Sequence, residues 1–184
     1  MENNIEREQE VKILNVDIDL VESKLVKLGA RKIAEEKQTN TLIDSTKNPI
    51  KSFLDGYLRI RETKDLIMDR ENTVITLKKS ISNEQIRDNL EMTVEIDNKD
   101  MMIKILNELG FDSIDVGFKL RKSYSFKNTR IDLDTWDDNT YPYPYMEVEF
   151  KDINDLYTVL KELDIDKGKV STKSIKELKD ELNK

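Results

Sequence analysis

The sequence predicts an α+β fold, a closed antiparallel barrel of about eight strands with helices packed on its outside. Three observations predict it. Apolar and charged residues alternate with period two in at least seven segments. Three other segments carry apolar residues at helical spacing, and each begins at an Asp or Asn. The charges on the strand faces also segregate by sign, so that some strands carry two cations and others two or three carboxylates.

Alternate residues of a strand point to opposite faces. Glu8, Glu10 and Lys12 share one face, and Val11 and Ile13 the other. Arg59 and Arg61 alternate with Leu58 and Ile60, and Thr76 and Lys78 with Ile75 and Leu77. Arg87 and Glu91 have one parity; Glu95 shares it and is read as bracing a cation. Lys119 and Arg121 alternate with Phe118 and Leu120; Arg130, Asp132 and Asp134 alternate with Ile131 and Leu133. Glu147 and Glu149 alternate with Met146, Val148 and Phe150. Any one of these is readable as the solvated face of a one-sided sheet. Their repetition argues for an enclosed face. Like charges side by side are unfavourable unless a ligand compensates them. Cations two residues apart, about 6–7 Å, match neighbouring phosphates, and carboxylates at that spacing can share a hard cation. If the sheet closes, this face lines a lumen able to hold a small ligand.

The first helix is expected to be capped by Asp19, to carry Val21, Leu25 and Leu28, and to stop at Gly29. The second runs from about Asn98 with Met102, Ile105, Leu106 and Leu109 on one face, to Gly110. The third follows Asp152 with Leu156, Val159, Leu160 and Leu163. A polar fourth helix, read as a solvated lid, is expected over residues 174–183. Residues 44–56 and 136–145 read as loops, and the charged stretch Thr63 to Asn72 as a turn. Trp136, Tyr141, Tyr143 and Tyr145 are expected to cover a barrel rim or pack against a loop rather than to stack on a base.

The chain has 184 residues, a net charge of −7 and 38% charged residues. It reads as one domain over residues 1–184, with a weak strand–cap–helix echo suggesting two related halves and a helical C-terminal segment at 171–184. The acidic balance disfavours a nucleic-acid partner. With no cysteine and no histidine, disulfides, thiol chemistry, Ser-His triads and imidazole metal sites are excluded. A bound metal would take oxygen ligands, which suits magnesium, manganese or calcium. No apolar run reaches the ~20 residues of a membrane span, and Met1-Glu2-Asn3-Asn4 lacks the regions of a signal peptide. A cytoplasmic location without a membrane partner is expected. Asp132 to Tyr143 is not a calcium loop, because Asp137 and Tyr143 stand where that loop needs Gly and Glu.

The ordered landmarks resemble the CYTH superfamily of triphosphate tunnel metalloenzymes, which includes class IV adenylate cyclases, thiamine triphosphatases and inorganic triphosphatases. Glu8-Gln9-Glu10-Val11-Lys12 resembles the E-x-E-x-K signature, Leu58 to Arg61 the L-R-x-R strand, and Thr76-Leu77-Lys78 the T-x-K strand. Arg87 with Glu91 resembles R-x-E-x-E, with Asn89 replacing the middle Glu. Lys119-Leu120-Arg121 with Tyr124, Arg130 to Asp134, and Glu147-Val148-Glu149 resemble the three closing strands.

The resemblance implies a divalent ion, Mg2+ or Mn2+, held by Glu8, Glu10 and Glu149 with Asp134 and Glu147 nearby. It implies phosphates gripped by Lys12, Arg59, Arg61, Lys78, Lys119 and Arg121, with Arg87 and Arg130 adding positive charge or bracing carboxylates. Glu8, Glu10, Lys12 and Lys78 would stand at the reacting centre. The implied activity is metal-dependent hydrolysis of inorganic, nucleoside or thiamine triphosphate. A class IV adenylate cyclase and a non-catalytic polyphosphate or nucleotide binder are the alternatives. Leu42-Ile43-Asp44-Ser45 lacks the tyrosine of the thiamine triphosphatases, and Asp132 stands where class IV cyclases usually have His. A monomer or homodimer is expected.

Overall fold

A computed structural model describes residues 5–82 and 86–182. The N-terminal tetrapeptide read for a leader, and residue 183 of the expected last helix, lie outside these. The strands are β1 (Ile5–Ile13), β2 (Arg31–Asp44), β3 (Gly56–Asp65), β4 (Arg70–Ser82), β5 (Arg87–Glu95), β6 (Ser113–Phe126), β7 (Thr129–Trp136), β8 (Tyr145–Phe150) and the short β9 (Val170–Ser171). The helices are α1 (Ile18–Lys27), α2 (Lys99–Glu108), α3 (Ile153–Leu163) and α4 (Ile175–Leu182).

Eight strands form a closed antiparallel ring in the order β5-β4-β3-β2-β6-β7-β8-β1, and β1 returns to β5. Closure depends on β1. Its first part pairs with β5, from Ile5↔Met92 to Glu10↔Arg87. Its second part pairs with β8, from Gln9↔Phe150 to Ile13↔Met146. Every strand of the ring thus finds two neighbours, and the four helices lie outside.

The outer faces of β1, β7, β8 and the end of β6 are apolar and meet α1 and α3. Val11, Ile13, Ile131, Leu133, Met146 and Val148 pack there with Val21, Leu25, Leu156, Val159, Leu160 and Leu163. All four apolar residues expected on α3 are buried. A second cluster joins Tyr141 and Tyr145 to Leu178 of α4. Tyr141 and Tyr145 therefore pack under the last helix, which was expected to be solvated, while Tyr143 is exposed. A concavity of ≈ 610 Å³ is lined by Gln38, Thr63, Lys119 and Trp136, which share the inward face by register, and by Thr39, Glu62, Phe118 and Leu120 of the opposite parity. Among the described residues, no helix is long and apolar enough to cross a membrane.

Several local expectations change. Asp17, not Asp19, caps α1, accepting from the amides of Asp19 and Leu20. Helix α1 thus starts earlier, and Leu28 at its end is exposed. On α2, Ile105 and Leu109 are exposed while Met102 and Leu106 are half-buried. The expected turn from Thr63 to Asn72 is mostly strand, because the ladder continues through Thr63↔Asn72 to Asp65↔Arg70. Strand β2 was not anticipated; its sequence, RKIAEEKQTNTLID, lacks sustained apolar alternation.

Gly56 opens β3, where a Cβ would stand 2.2 Å from the carbonyl oxygen of Lys78. The strands could not keep their spacing with a methyl group there. Gly56→Ala is expected to cost about 1–3 kcal/mol in urea unfolding. An unchanged midpoint would show that β3 and β4 separate freely at this edge.

Candidate active site

Alternation combined with closure turns one face of every strand in the ring inward. The lumen receives Glu8, Glu10 and Lys12 from β1, Glu36, Gln38 and Asn40 from β2, and Arg59 and Arg61 from β3. Strand β4 adds Thr76 and Lys78, β5 adds Arg87, Asn89 and Glu91, and β6 adds Lys119 and Arg121. Arg130, Asp132 and Asp134 come from β7, and Glu147 and Glu149 from β8.

The register decides which charges meet. Lys78 lies opposite Glu91, Arg87 opposite Glu10, Arg121 opposite Asp134, Lys12 opposite Glu147 and Arg130 opposite Glu149. Contacts between side chains follow from this. Lys78 Nζ reaches Glu8 at 2.9 Å, Glu10 at 3.1 Å and Glu91 at 2.8 Å. Arg87 also reaches Glu10, at 3.2 Å, and Asn89 Nδ2 donates to the same carboxylate. Arg121 makes two bonds to Asp134, from Nε and Nη2, and touches Asp132 and Glu147. Lys12 donates to Glu147 at 3.0 Å. Arg130, more open than the rest, donates to Asp132 and Ser123.

Cations on the β2–β3 side are left with less. Arg59 lies opposite Leu42 and Thr76, and Arg61 opposite Asn40 and Val74. Among the described residues neither makes an ion pair. Arg61 Nε donates to the neutral Asn40 Oδ1 at 2.9 Å, and the buried Nε of Arg59 has no hydrogen-bond partner. Lys119 lies opposite Gln38 and Trp136. It has Asp134 at 3.1 Å, a carboxylate it shares with Arg121, and its Nζ stands 5.1 Å from the Trp136 ring centre. The lumen therefore has a wall of carboxylates balanced by lysine and arginine, and a facing wall with positive charge in excess.

Burial and neighbouring charge shift the pKa values of these groups along the same division. Burial, then the neighbouring Arg59 and Arg121, lower the Arg61 pKa to about 10. Burial and Arg121 bring Lys119 down to about 7 against the pull of Asp134. On the acidic wall, burial raises Glu8 to about 7, with Lys78 opposing and Glu91 and Glu10 adding to the rise. Burial and Glu147 raise Glu10, and burial raises Glu149. Burial would raise Glu147 too, but Lys12, a hydrogen bond from Glu10 and Arg121 hold it well below the usual range.

Among the described residues, no three carboxylates converge on a common point that could hold a metal. The donor set nevertheless fits a hard cation. Glu8, Glu10, Glu147 and Glu149 are oxygen donors within one enclosure, and three of them are driven toward protonation by burial and crowding. A divalent ion would relieve that crowding.

All the residues singled out as site candidates from the sequence face this lumen. Gln38 and Asn40 were missed. They are neutral amides on the strand that was not anticipated, and their only signal was shared parity beside the L-R-x-R strand. Glu91 and Asn89 had lumen parity but received no assigned role, and both now contact the Lys78–Glu10 group.

A closed barrel with an inward, sign-segregated charge lining defines a charged-tunnel protein. The CYTH domain family matches residues 6–175, and the chain belongs to that family. Among solved structures, it is similar to the PH1819 protein of Pyrococcus horikoshii OT3, at 24% identity and a TM-score of 0.75, covering 95% of this chain and 98% of that one. It is similar to the PH1012 protein of the same organism, at 21% identity and 0.75, over 93% and 98% of the two chains. HpAC1 from Hippeastrum, described as having a dominant triphosphatase activity, is 16% identical with a TM-score of 0.62 over 91% of each chain. These likenesses establish the fold. No curated protein matches the sequence.

The raised pKa of Glu8 sets a direction for stability. Between the ordinary value of 4.5 and about 7, the folded state holds a proton that the unfolded state has released. Stability from this group is complete below about pH 4.5 and is lost as pH rises through 7. Glu8→Gln removes that loss. Relative to the wild type, the variant is expected to gain about 1–3 kcal/mol between pH 5 and pH 7.5 in metal-free unfolding experiments. An equal pH slope for both proteins would mean that Glu8 is ionised throughout.

Proposed function

We propose that this protein is a divalent-metal-dependent triphosphatase acting inside the barrel. The observation that carries the reading is the incompletely neutralised cationic wall, with Arg59 and Arg61 making no ion pair among the described residues and facing a wall of carboxylates across one enclosure. Two half-buried arginines that make no ion pair among the described residues are held at a cost that a bound polyanion offsets. Guanidinium forks fit phosphate oxygens bidentately, while Lys78 and Lys119 serve as point charges. A chain of phosphates along Arg59, Arg61, Lys119 and Arg121 would meet a cation every two residues of strand. The family's association with triphosphates, and the activity described for HpAC1, support the same substrate class.

In this reading Glu8, Glu10 and Glu149 hold Mg2+ or Mn2+, with Asp134 and Glu147 beside them. When bound, such an ion neutralises phosphate charge and makes water a stronger nucleophile. The protein's own part is positioning. Arg59, Arg61 and Arg121 orient the phosphates and spread the charge that develops on the leaving group. Lys12 and Lys78 fix the carboxylates' directions and lower the cost of bringing a polyanion near them. Arg87 braces Glu10, and Arg130 extends positive charge toward the open end. The closed wall limits access of bulk water to the reacting phosphate.

Purified protein with inorganic triphosphate or ATP and magnesium or manganese is expected to release orthophosphate. Cyclic AMP with pyrophosphate would assign a cyclase instead, and binding without turnover a non-catalytic module. Glu10→Gln is expected to lower kcat by about 100-fold or more. Arg59→Ala is expected to act mainly on KM, raising it about tenfold or more. Full turnover by a well-folded Glu10→Gln protein would remove Glu10 from the reacting centre.

A further inference from the structure

Strand β2 brings two neutral amides to the cationic wall, where phosphate binding alone has no use for both. Gln38 and Asn40 are 4% and 2% exposed. Their orientations are fixed by charged partners. Glu36 can only accept while ionised, so the Gln38 end that bonds it is Nε2, and Oε1 is left over. The Nε of Arg61 can only donate, so the Asn40 atom it meets is Oδ1, and Nδ2 is left over. Both leftover atoms, Gln38 Oε1 and Asn40 Nδ2, are buried without a hydrogen-bond partner among the described residues. A buried polar atom in that state costs about 1–3 kcal/mol, which a complementary ligand atom would recover.

The chemistry of that ligand atom follows from the surroundings. Gln38 lies opposite Lys119 on β6 and Thr63 on β3, and Asn40 is bonded to Arg61. Lys119 and Arg61 disfavour a metal ion here, and the one carboxylate at hand, Glu36, already accepts from Gln38 Nε2. An ionised phosphate oxygen satisfies Asn40 Nδ2 but repels Gln38 Oε1, since both are acceptors. The remaining partner for Gln38 is a neutral donor, O–H or N–H, on a group attached to the phosphates.

We propose that Gln38 and Asn40 are specificity-determining residues: Gln38 Oε1 accepts from a hydroxyl or amino group on the organic part of a triphosphate ester, while Asn40 Nδ2 donates to its phosphate or ester oxygen. The preferred substrate is then an organic triphosphate, such as a nucleoside triphosphate, rather than inorganic triphosphate. This rests on the triphosphatase reading above. Inorganic triphosphate offers three phosphates and no neutral donor, so it separates the two claims.

The test compares kcat/KM for ATP, 2′,3′-dideoxy-ATP, inosine triphosphate and inorganic triphosphate, all with magnesium, for wild type and Gln38→Leu. The expected result is a wild-type preference for ATP over inorganic triphosphate. That ratio should fall about tenfold in Gln38→Leu, the loss lying in KM. A selective loss with the dideoxy compound identifies a ribose hydroxyl as the donor, and one with inosine triphosphate identifies the base amine. Gln38→Met, which keeps the length without the acceptor, carries the same measurement if the leucine variant melts early, and the wild-type analogue series needs no variant. Equal use of ATP and inorganic triphosphate, or a ratio that neither variant moves, overturns the inference and leaves the triphosphatase reading standing. No turnover of any of the four by wild type overturns both.

Discussion

Everything in this molecule depends on the cost of burying charge inside a closed sheet. More than a dozen ionisable side chains point into the lumen, and Asp134, Lys119, Lys12 and Glu10 are almost wholly shielded from water. Isolated, each would be pushed toward its neutral form. The antiparallel register offsets part of this by setting Lys78 against Glu91, Arg121 against Asp134, Lys12 against Glu147 and Arg87 against Glu10. A slip of one residue in any of these ladders would turn the charges outward and the apolar residues inward. Closure by β1 therefore holds the chemistry as well as the fold.

Compensation is incomplete in a particular place. Strands β1, β5, β7 and β8 supply the carboxylates and find cations to match. Strand β3 supplies two arginines and finds leucine, threonine, valine and asparagine across the ladder. A purely structural network would gain nothing from this imbalance, since replacing an unpaired buried charge by an apolar residue is stabilising more often than not. The excess is better understood as binding capacity held in a rigid frame, where little reorganisation is needed when a polyanion enters.

Much of this was legible in the sequence because full charges at alternate positions are rare on ordinary half-exposed strands. Arg59-Ile60-Arg61 and Glu147-Val148-Glu149 announced both their strand geometry and the sign of their wall. The amphipathic α3 was equally plain, with its four leucines and valines at helical spacing. Strand β2 was not, since the Ala, Glu, Lys and Asn that make up much of it are depleted in strands. What identifies β2 is its pairing with β3 and β6 along most of its length, a long-range property. The pairings of individual charges were also hidden. They depend on register, which is set by the hairpin turns, by a bulge between Lys32 and Ala34 and by another between Ser80 and Ser82.

The most direct test of the central claim needs no turnover. Inorganic triphosphate added to metal-free protein at low ionic strength is expected to raise the thermal unfolding midpoint by several degrees at saturating concentration. Replacing Arg59 and Arg61 together by methionine should abolish that rise while leaving the unliganded protein folded. A wild-type midpoint that triphosphate does not move, or a rise that survives loss of both arginines, would contradict the view that the uncompensated wall is an anion site.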